Sequence, residues 1–584
     1  MKAIPSFVLA ALLPLAIAVA APGDPDSYVA GPDSTPQPGV PQGELIKFEF
    51  AQSRIFPGTT RQVTVYVPRQ YDPAKPACVY VDQDGVQWNA PVVLDNLIAR
   101  GEVPVMIGVF VTPGVVAARD PKTELNRFNR SLEYDGLGDA YAHFILDELL
   151  PVVETKAAAD GRPVHLSHSG NDRAIAGSSS GAVAAFTVAW ERPDAFSRVL
   201  SSVGTYIGLR GADRYPTLVR KYEPKPIRVF LQDGSHDLNI YAGDWWMANQ
   251  TMERALTFSG YEVNHVWGDG GHNGKHIGAL LPDALRWIWK DWPKTVARGV
   301  SQNGALAALL IPDEEWQVAA SGYGSAGSPA ANAKGEVFFN DLPAGKAYRI
   351  GVDGSVSAFA SDSGKANAQQ VGPDGRLLFA AVEPGSKIIA CGPDGKSRTF
   401  AGGITGRQLV IAHNGNFYLT ARDAPGSVWL VRPDGRTQVV DTGLRSATGV
   451  TLSPDQSLLY VAESASHWIY SYRIEPDGTL ADKQRYYWLH ESDTDEASNA
   501  GGMRCDRAGW LYVATGLGVQ VCDQAGRVNA IVPTPSGRVT DLCFGGAHFD
   551  TLFATCGDTV FRRRIKAVGM NTWDEPVRPP APRL

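Results

Sequence analysis

Two patterns of apolar and polar residues follow each other along the chain and change near residue 300. Between residues 46 and 297, continuous apolar runs such as "ACVYVDQDG" and "VPVMIGVFV" alternate with segments of helical periodicity such as "YAHFILDELLPVVETKAA". Continuous apolar runs are typical of strands buried on both faces. Their alternation with amphipathic helices predicts an α/β domain with a largely parallel sheet over residues 46–297.

Beyond residue 300 the helical periodicity disappears, and short strands separated by Gly and Asp turns take over. A phrase of the form turn, glycine and apolar strand recurs in "ANAKGEVFFND", "VGPDGRLLFAA" and "IAHNGNFYLTA", whose glycines Gly335, Gly375 and Gly415 lie 40 residues apart. Six such units of about 40 residues predict an all-β, six-bladed propeller. We place the propeller at residues 305–565 and a C-terminal tail at residues 566–584.

The N-terminus predicts export from the cytoplasm. Lys2 precedes an apolar run, and "AVA" before Ala21 is a small-residue cleavage signature, so we interpret residues 1–20 as a signal peptide cleaved near Ala20. A secreted or periplasmic protein is expected. Residues 21–45, rich in Pro, Gly, Asp and Ser, predict an extended and poorly ordered linker.

Composition narrows the possible partners. The 584 residues exceed one ordinary core, and the formal net charge of −7 is spread over both signs with no basic tract, so nucleic-acid binding is not expected. No later stretch is long and apolar enough to span a membrane. The six cysteines form no CxxC pair, so we expect buried thiols rather than a zinc site. A Cys543–Cys556 bridge remains an open alternative.

The stretch "RAIAGSSSGAVAAF" contains the pattern G-x-S-x-G between an apolar strand and a helix of small residues. In this pattern the middle serine lies on a tight strand-to-helix turn, and the flanking glycines avoid a clash there. The pattern selects Ser179 as a nucleophile and the backbone N–H of Ser180 as an oxyanion donor. A solvated Ser/Gly loop is the alternative.

A serine nucleophile needs a base and an acid that orients the base. In this class of fold the chain order is Ser, acid, His. The acid candidates are Asp233 and Asp237 in "LQDGSHDLN"; the base candidate is His272 in "GDGGHNGKH". His276 and His236 are rivals of His272 that better suit structure or substrate. The order Ser179, Asp237, His272 fits.

The motifs "RSLEYDGLGDAYAHFILDELLP", "AGSSSGA", "FLQDGSHDLN", "GDWWMAN" and "GGHNGKHIGALLPDALRWIW" appear in this order. Together they resemble the "putative esterase" family, which includes enterochelin, feruloyl and acetylxylan esterases and esterase D. The resemblance implies an α/β-hydrolase fold over residues 46–297 and a serine carboxylic ester hydrolase. It also favours Asp237, since the relatives' acid lies in a G-x-x-D segment. It further implies that the backbone N–H groups of Gln83 or Asp84 complete the oxyanion hole.

Aromatic and cationic residues around this half of the chain suggest a place for a sugar or phenolic ring. The candidates for substrate binding are Trp88, Arg130, Tyr134 and Trp245. A helix core for the tryptophans and a structural Arg130–Glu133 ion pair are the alternatives.

The second half, with "GVTLSPDQSLLYVAES", "GGMRCDRAGWLYVATGLGVQV" and "LCFGGAHFDTLFAT", resembles the gluconolactonase/senescence-marker family. The resemblance implies a divalent cation on the propeller axis, bound by oxygen ligands from E-G-P, N-G and P-D-G segments, with a further Asn from an N-D segment in the substrate pocket.

This sequence departs from the family at all four places, where it has Gly327, Arg407, Thr448 and Gly501. We therefore expect no metal and no cofactor, and a propeller that binds or scaffolds. Glu463, Asp493, Asp495 and Glu496 are carboxylates that could build a different site, and a solvated acidic loop is the alternative for the last three.

The sequence thus predicts an exported serine carboxylesterase that hydrolyses acyl or aryl esters, with polysaccharide esters as the substrate class expected by analogy. A siderophore trilactone esterase, a metal-dependent sugar lactonase in the propeller and a non-catalytic glycan-binding protein are the alternatives. The sequence leaves the oligomeric state open.

Overall fold

The structure is a computed structural model of the chain. It describes residues 26–381, 385–392, 396–421, 426–492 and 497–582. The predicted signal peptide, residues 1–20, lies outside the described residues.

The first half of the chain forms an eight-stranded sheet. Its strands are β1 (Glu44–Phe50), β2 (Arg61–Val67), β3 (Cys78–Gln83), β4 (Met106–Val111), β5 (Arg173–Ser178), β6 (Arg198–Ser202), β7 (Arg228–Gly234) and β8 (Glu262–Gly268). The order across the sheet is β1-β2-β4-β3-β5-β6-β7-β8. β2 runs antiparallel to β1 and β4, and all later neighbours are parallel. The carboxyl ends of β3, β5, β7 and β8 therefore share one edge of the sheet.

Helices follow the strands of this sheet. They are α1 (Ala90–Ala99), α2 (Arg130–Tyr134), α3 (Ala140–His143), α4 (Leu150–Val153), α5 (Ser180–Glu191), α6 (Tyr215–Lys221), α7 (Trp245–Phe258) and α8 (Lys275–Ile288). A further helix, α9 (Gly304–Leu309), packs against the propeller instead. A π-helical segment, Phe144–Leu149, joins α3 to α4. Short 3-10 turns lie at Pro32–Ser34, Gly170–Asp172 and Ala212–Arg214. Two pairs of two-residue strands are antiparallel: Val115–Val116 pairs with Arg127–Phe128, and Asn239–Ile240 pairs with Gly243–Asp244.

The second half forms six four-stranded antiparallel sheets, which confirms the six-bladed propeller. Blade 1 comprises Ala326–Ala331, Val337–Asp341, Lys346–Ile350 and Val356–Ala360; blade 2 comprises Ala368–Val371, Leu377–Ala381, Lys387–Cys391 and Ser397–Gly402; blade 3 comprises Gly406–Ile411, Phe417–Ala421, Val428–Val431 and Thr437–Asp441. Blade 4 comprises Ala447–Leu452, Leu458–Glu463, Trp468–Ile474 and Leu480–Trp488; blade 5 comprises Met503–Cys505, Leu511–Thr515, Gly518–Cys522 and Val528–Val532; blade 6 comprises Asp541–Gly545, Thr551–Cys556, Thr559–Arg564 and Gln317–Ala320.

Blade 6 closes the ring by combining both ends of the propeller segment. Its outer strand, Gln317–Ala320, precedes blade 1 in sequence and pairs with Thr559–Arg564. The repeat glycines Gly335, Gly375 and Gly415 lie in the turns after the first strand of blades 1, 2 and 3, with φ between +75° and +81°. These turns need glycine because a side chain is strained at positive φ.

The two halves share a hydrophobic core along the outer side of blade 5. Tyr222, directly after α6, forms a bridge with Ile531 at the outer strand of that blade, and both side chains are buried. Glu223 accepts a bidentate pair of hydrogen bonds from Arg563 at 2.7 and 2.8 Å. Lys221 donates to Nε2 of the buried His490 at 2.9 Å. The propeller is thus packed against the α/β half by apolar and ionic contacts.

The segment interpreted as an extended, poorly ordered linker packs on the α/β half over residues 26–43. Asn96 in α1 donates from Nδ2 to the carbonyls of Asp33 at 2.8 Å and Thr35 at 2.9 Å, and the Asp33 carboxylate pairs with Arg286 of α8. Pro and Gly composition predicted the irregular backbone, but it does not show that the segment's polar side chains have partners elsewhere.

All six cysteines are buried and free, so the alternative Cys543–Cys556 bridge does not form. Cys556 lies 3.5 Å from the Thr534 hydroxyl. Among the described residues, no helix has both the length and the apolar character needed to cross a membrane.

Candidate active site

A sharp turn at the carboxyl end of β5 presents Ser179. The residue has φ +60° and ψ −123°, a conformation that L-residues rarely adopt, and α5 begins at the next residue. The glycines of the motif are sterically required. A Cβ at Gly177 would overlap the carbonyl oxygen of Gly181, and a Cβ at Gly181 would lie 2.9 Å from an Asp84 carboxylate oxygen. The local sequence therefore fixes the serine in a half-buried, strained position.

Ser179, His272 and Asp237 form a continuous hydrogen-bonded chain. Nε2 of His272 lies 2.8 Å from the Ser179 hydroxyl, and its Nδ1 lies 2.6 Å from an Asp237 carboxylate oxygen. The Asp237 side chain is fully buried, whereas the His272 ring is one-fifth exposed. The three residues come from the loops after β5, β7 and β8, and the parallel sheet brings these loops to one edge.

The structure distinguishes the two candidate acids. Asp233, at the end of β7, does not contact His272 but lies beneath Asp237, and one carboxylate oxygen of each is buried without a hydrogen-bond partner. Burial, together with the neighbouring Asp237, raises the pKa of Asp233 to about 9. Protonated Asp233 can donate to Asp237, so the pair carries one negative charge and its proton orients the acid that holds His272.

The rival histidines have other partners. The His276 ring stacks on Tyr28 with centroids 4.0 Å apart, and its Nδ1 lies 3.0 Å from Nε2 of Gln232. Burial lowers the pKa of His276. His236 lies 2.6 Å from the backbone carbonyl of Asp269. His276 is therefore a buried packing residue, and His236 ties two loops together.

The predicted oxyanion donors belong to two segments, the start of α5 and the turn at Gln83 and Asp84. Ser180 is the first residue of α5, and the first N–H groups of a helix have no partner within the helix. The turn at Gln83 and Asp84 packs directly over the start of α5, because a Cβ at Gly181 would touch both residues. Asp84 itself has φ +63°. The two segments that carry the predicted donors are thus packed against each other at the start of α5.

Two of the residues predicted to bind substrate instead have structural contacts. Arg130 forms a bidentate ion pair with Asp84 at 2.8 and 2.9 Å, and not with Glu133. Glu133 instead pairs at 2.7 Å with Arg61, and both side chains are fully buried. The Tyr134 ring is fully buried below Arg130 and against Tyr141. Tyr134 therefore lies too deep to form a platform for a substrate, while Arg130 holds the Asp84 turn in place.

The two predicted tryptophans lie on either side of the histidine loop. Trp245 is buried with its ring edge-on to His272 at 5.6 Å. Trp88 is half-buried against Gly274 and Gly278, and its indole N–H has no partner among the described residues. Trp245 therefore supports the histidine directly, and Trp88 borders the loop that carries it.

Sequence reasoning missed Thr205, which follows β6. Its hydroxyl lies 3.1 Å from the Ser179 hydroxyl and accepts a hydrogen bond from the Trp245 indole N–H at 3.1 Å. Since an indole N–H only donates, the Thr205 hydroxyl is left to donate to Ser179, which in turn donates to His272. No motif marks Thr205. Its position at the end of a strand adjacent to β5 was the available signal.

Sequence reasoning also missed an N-terminal strap, residues 26–28, that lies on the histidine loop. The Tyr28 hydroxyl accepts hydrogen bonds from the backbone N–H groups of Asp269 at 2.9 Å and Gly270 at 3.2 Å. The Asp26 carboxylate accepts one from Gly271 at 2.9 Å. Three successive N–H groups immediately before His272 are therefore held by the strap.

A pocket of about 290 Å³ lies on the propeller axis. All six blades or the segments leading into them contribute to its wall, which shows that it is axial. The four positions at which the sequence departs from the gluconolactonase pattern, Gly327, Arg407, Thr448 and Gly501, all line this pocket.

The residues of the axial pocket do not fit a bound divalent cation. Gly327 has no side-chain oxygen, and a Cβ at Gly501 would overlap the carbonyl oxygen of Thr540, so no ligand side chain fits there. Thr448 donates its hydroxyl to the carbonyl of Ala500 at 2.6 Å. The described residues contain no group of three or more His, Cys, Asp or Glu that could hold a metal. Calcium requires six to eight oxygen ligands, with carboxylates prominent.

The other carboxylates suggested by the sequence give no cation site among the described residues. The Glu463 carboxylate accepts hydrogen bonds from the backbone of Arg445 and the hydroxyl of Ser466, both at 2.7 Å. Asp493, Asp495 and Glu496 lie outside the described residues.

Comparison with known proteins shows that a region in each half of the chain matches a different family model. Residues 54–288 match the family model "Putative esterase". Residues 405–558 match the model "SMP-30/Gluconolactonase/LRE-like region". The chain therefore combines an esterase-family region with a gluconolactonase-like propeller, as the two resemblances predicted.

The similar proteins are distant. A gluconolactonase of Zymomonas mobilis is 25% identical over 317 residues, which cover 47% of this chain and 88% of that protein. A solved gluconolactonase of Xanthomonas campestris is 24% identical, with a TM-score of 0.40, over 45% of this chain and 93% of the other. The enterobactin esterase of Shigella flexneri is 20% identical, with a TM-score of 0.32, over 43% of this chain and 61% of the other.

Proposed function

We propose that the first half of the chain is an α/β-hydrolase-type serine carboxylesterase with Ser179 as nucleophile, His272 as base and Asp237 as orienting acid. The observation that carries the proposal is the hydrogen-bonded chain from Ser179 through His272 to Asp237, at 2.8 and 2.6 Å. The esterase-family match over residues 54–288 supports the same reaction class.

The geometry supports a two-step acyl transfer. Neutral His272 takes the Ser179 proton as the hydroxyl oxygen attacks the ester carbonyl, and Asp237 stabilises the imidazolium that results. The N–H groups of Ser180 and of the Gln83–Asp84 turn are the proposed donors to the oxyanion. His272 then gives its proton to the departing alcohol, and water activated by the same histidine releases the acid.

Three features of the scaffold prepare this chemistry before substrate binds. Thr205 donates to the Ser179 oxygen and so favours the rotamer that points toward His272. The Arg130–Asp84 pair holds the turn that carries the proposed oxyanion donors, and the Arg130 guanidinium also donates to the Ser178 carbonyl at 3.3 Å. Donors and base fixed in advance reduce the reorganisation needed in the transition state.

We infer from family analogy that the natural substrate is an acyl or aryl ester, with a polysaccharide as the expected carrier, and from residues 1–20 that the protein is exported. A siderophore trilactone is the alternative ester. The test is a panel of acetylated xylan, methyl ferulate and a ferric trilactone, assayed with the wild type and Ser179→Ala. Ser178→Ala is the matched control, because its side chain has no part in the proposed mechanism.

The wild type and Ser178→Ala should hydrolyse one ester class, and Ser179→Ala should lose at least about a thousandfold of that rate. A fluorophosphonate probe should label Ser179 in the wild type. Full turnover by Ser179→Ala would refute the nucleophile assignment. Absence of both label and turnover in the folded wild type would instead favour a non-catalytic glycan-binding protein.

A sugar lactonase activity in the propeller is the second candidate. It is favoured by the family match over residues 405–558 and by the similarity to the Zymomonas gluconolactonase. Lactone hydrolysis by Ser179→Ala, measured with added calcium and with a chelator, separates it from the esterase. Calcium-dependent turnover would support a metal lactonase despite the residues in its pocket.

A further inference from the structure

A large cleft lies between the α/β half and blade 5 of the propeller. Its volume is about 1050 Å³, which is at the upper end of the range for small-molecule pockets. The ends of α6 and α7 line one side, blade 5 lines the other, and α9 and the C-terminal Pro580–Pro582 complete the wall. The wall shares no residue with the axial pocket and contains none of the proposed catalytic residues. The cleft is therefore a separate candidate site.

Hydrogen bonds across the cleft hold its walls together. The Asn303 amide donates to the carbonyl of Arg220 at the end of α6, at 3.0 Å, and to that of Asn529 in blade 5, at 2.8 Å. The backbone N–H of Arg507, in a turn of blade 5, donates to the Val568 carbonyl at 3.0 Å. The two halves are thus fixed relative to each other at this place, and the cleft exists before any ligand binds.

The wall carries more positive than negative side chains. Its cationic residues among those described are Arg220, Lys221, Arg507, Arg527 and Lys566. The two carboxylates of this wall are buried and already have partners. Asp523 pairs with Arg527 at 2.8 Å, and Asp506 accepts hydrogen bonds from a backbone N–H and a tyrosine hydroxyl at 2.9 and 3.1 Å. Lys221 donates to His490. Three cations remain to be considered.

Arg220, Arg507 and Lys566 form no ion pair with a carboxylate of the described residues. The Arg220 guanidinium lies over the Phe258 ring, 4.5 Å from its centroid, and the Lys566 ammonium donates to a backbone carbonyl of α9 at 2.7 Å. Neither contact neutralises a charge. Arg507 is exposed and interacts with Asp574, outside the cleft wall, only beyond ion-pair distance. The cleft therefore presents a positive potential, which a concave site strengthens.

The same wall is apolar between these cations. Trp510 is half-buried and packs on the hydrophobic cluster that joins α9 to blades 5 and 6. Phe258, Leu309, Val568 and Pro580 also line the cleft. Aromatic rings pack on indole rings and on guanidinium planes, and guanidinium groups also bind carboxylates. A wall that offers both kinds of surface suits an anion with an aromatic body.

We propose that this cleft binds an aryl carboxylate that contacts both halves of the chain. Its ring lies against Trp510 and the neighbouring apolar side chains, and its carboxylate lies in the positive potential to which Arg220 and Arg507 contribute from opposite sides. A bound anion also reduces the repulsion between cations of the two halves, and so stabilises their contact. This inference does not depend on the proposed esterase activity.

Isothermal titration calorimetry of the full chain with sodium cinnamate tests the proposal, with neutral cinnamamide and sodium acetate as parallel titrants. We expect saturable binding of cinnamate with Kd of about 1 mM or tighter. Cinnamamide lacks the charge and acetate lacks the ring, so each should bind at least about tenfold more weakly. Arg220→Gln in the α/β half and Arg507→Gln in the propeller should each weaken cinnamate binding by about tenfold.

The matched controls are Arg254→Gln in α7 and Arg398→Gln in blade 2, since both arginines are exposed and lie outside the cleft wall. Both controls should bind cinnamate like the wild type, and thermal unfolding should show that all variants are folded. Absence of cinnamate binding, equal binding of cinnamamide, or an equal loss in the controls would overturn the proposal.

The comparison of the two cleft variants tests whether the ligand contacts both halves. A loss of affinity in only one of Arg220→Gln and Arg507→Gln would overturn that part of the proposal, and a loss in neither would overturn the site. Ser179→Ala should bind cinnamate unchanged, which separates this test from that of the esterase.

Discussion

Removing one hydroxyl group in the N-terminal strap should slow the proposed ester hydrolysis without changing any of the proposed catalytic residues. In Tyr28→Phe the ring can still stack on His276, but the N–H groups of Asp269 and Gly270 lose their acceptor. A neutral hydrogen bond contributes about 0.5–1.5 kcal/mol net. Water can replace the lost acceptor at the exposed Asp269 N–H, so the loss is little more than that of one hydrogen bond. The docked loop should therefore be destabilised by about 1–2 kcal/mol.

That energy acts on the loop that positions His272. A loss of 1–2 kcal/mol changes the ratio of docked to displaced loop by a factor of about 5–30. If the docked loop is favoured by only about 1 kcal/mol in the wild type, the docked fraction falls by about two- to fivefold. We therefore expect kcat for p-nitrophenyl acetate to fall about two- to fivefold while KM changes less, and Asp26→Ala to add to the effect.

Tyr71→Phe provides the matched control for this experiment. The Tyr71 hydroxyl also holds two backbone groups, donating to the Pro163 carbonyl at 2.9 Å and accepting from the His165 N–H at 2.8 Å, but at the amino end of β3. Hydrogen exchange of the peptide that contains Asp269 and Gly270 should quicken in Tyr28→Phe alone. Unchanged kcat in Tyr28→Phe, or an equal loss in Tyr71→Phe, would refute the positioning role.

The remaining predictions concern buried titratable groups. Asp237→Asn should lower kcat at least about a hundredfold because it removes the negative charge that stabilises the His272 imidazolium in the transition state. Asp233→Asn, whose amide can replace the donated proton, should stay within about tenfold of the wild type. Steady-state kinetics of both variants checks the assignment. Burial and the neighbouring Lys221 lower the pKa of His490 to about 3, below its value of about 6.5 in an unfolded chain. The folded state then binds fewer protons, so His490 lowers the free energy of unfolding by up to about 1.4 kcal/mol for each pH unit below 6.5. Urea unfolding at pH 7.5 and 5.0 should show a smaller acid-induced loss in His490→Gln, and an equal loss in both proteins would contradict the prediction.

The contacts between the two halves explain why His490 is a useful probe. His490 accepts from Lys221 of α6 and lies between the α/β half and blade 5. Protonation would remove that acceptor and place two positive charges together. Acidification should therefore weaken the contact between the α/β half and blade 5.

Patterns that are local in sequence predicted local structure well. The 40-residue repeat depends on turn glycines that need positive φ, and the structure has them in place. The G-x-S-x-G motif encodes a turn in which only glycine fits beside Ser179. Chain order and a family resemblance then favoured Asp237 and His272, and the structure brings these side chains together with Ser179.

Contacts between segments that are distant in sequence could not be predicted from such local patterns. Tyr134 was expected near substrate, but the packing of α2 against Tyr141 buries it. The strap belongs to a segment interpreted as an extended, poorly ordered linker, yet Tyr28 and Asp26 accept hydrogen bonds from N–H groups more than 240 residues away. Composition shows that a segment is polar, but it does not show which backbone N–H groups will lie within hydrogen-bonding distance of that segment after folding.

The sequence by itself determined the α/β and propeller architectures, the turn that presents Ser179, and the absence of the oxygen ligands expected from the gluconolactonase resemblance. Periodicity, turn geometry and residue type are properties of short segments, so they can be read without the fold. The tertiary structure alone decided which carboxylate meets His272, which residues support Ser179 and that the four substituted positions face one cavity. Those outcomes depend on the order and packing of strands across the sheet and around the ring. Side chains far apart in sequence become neighbours only when the hydrophobic cores close.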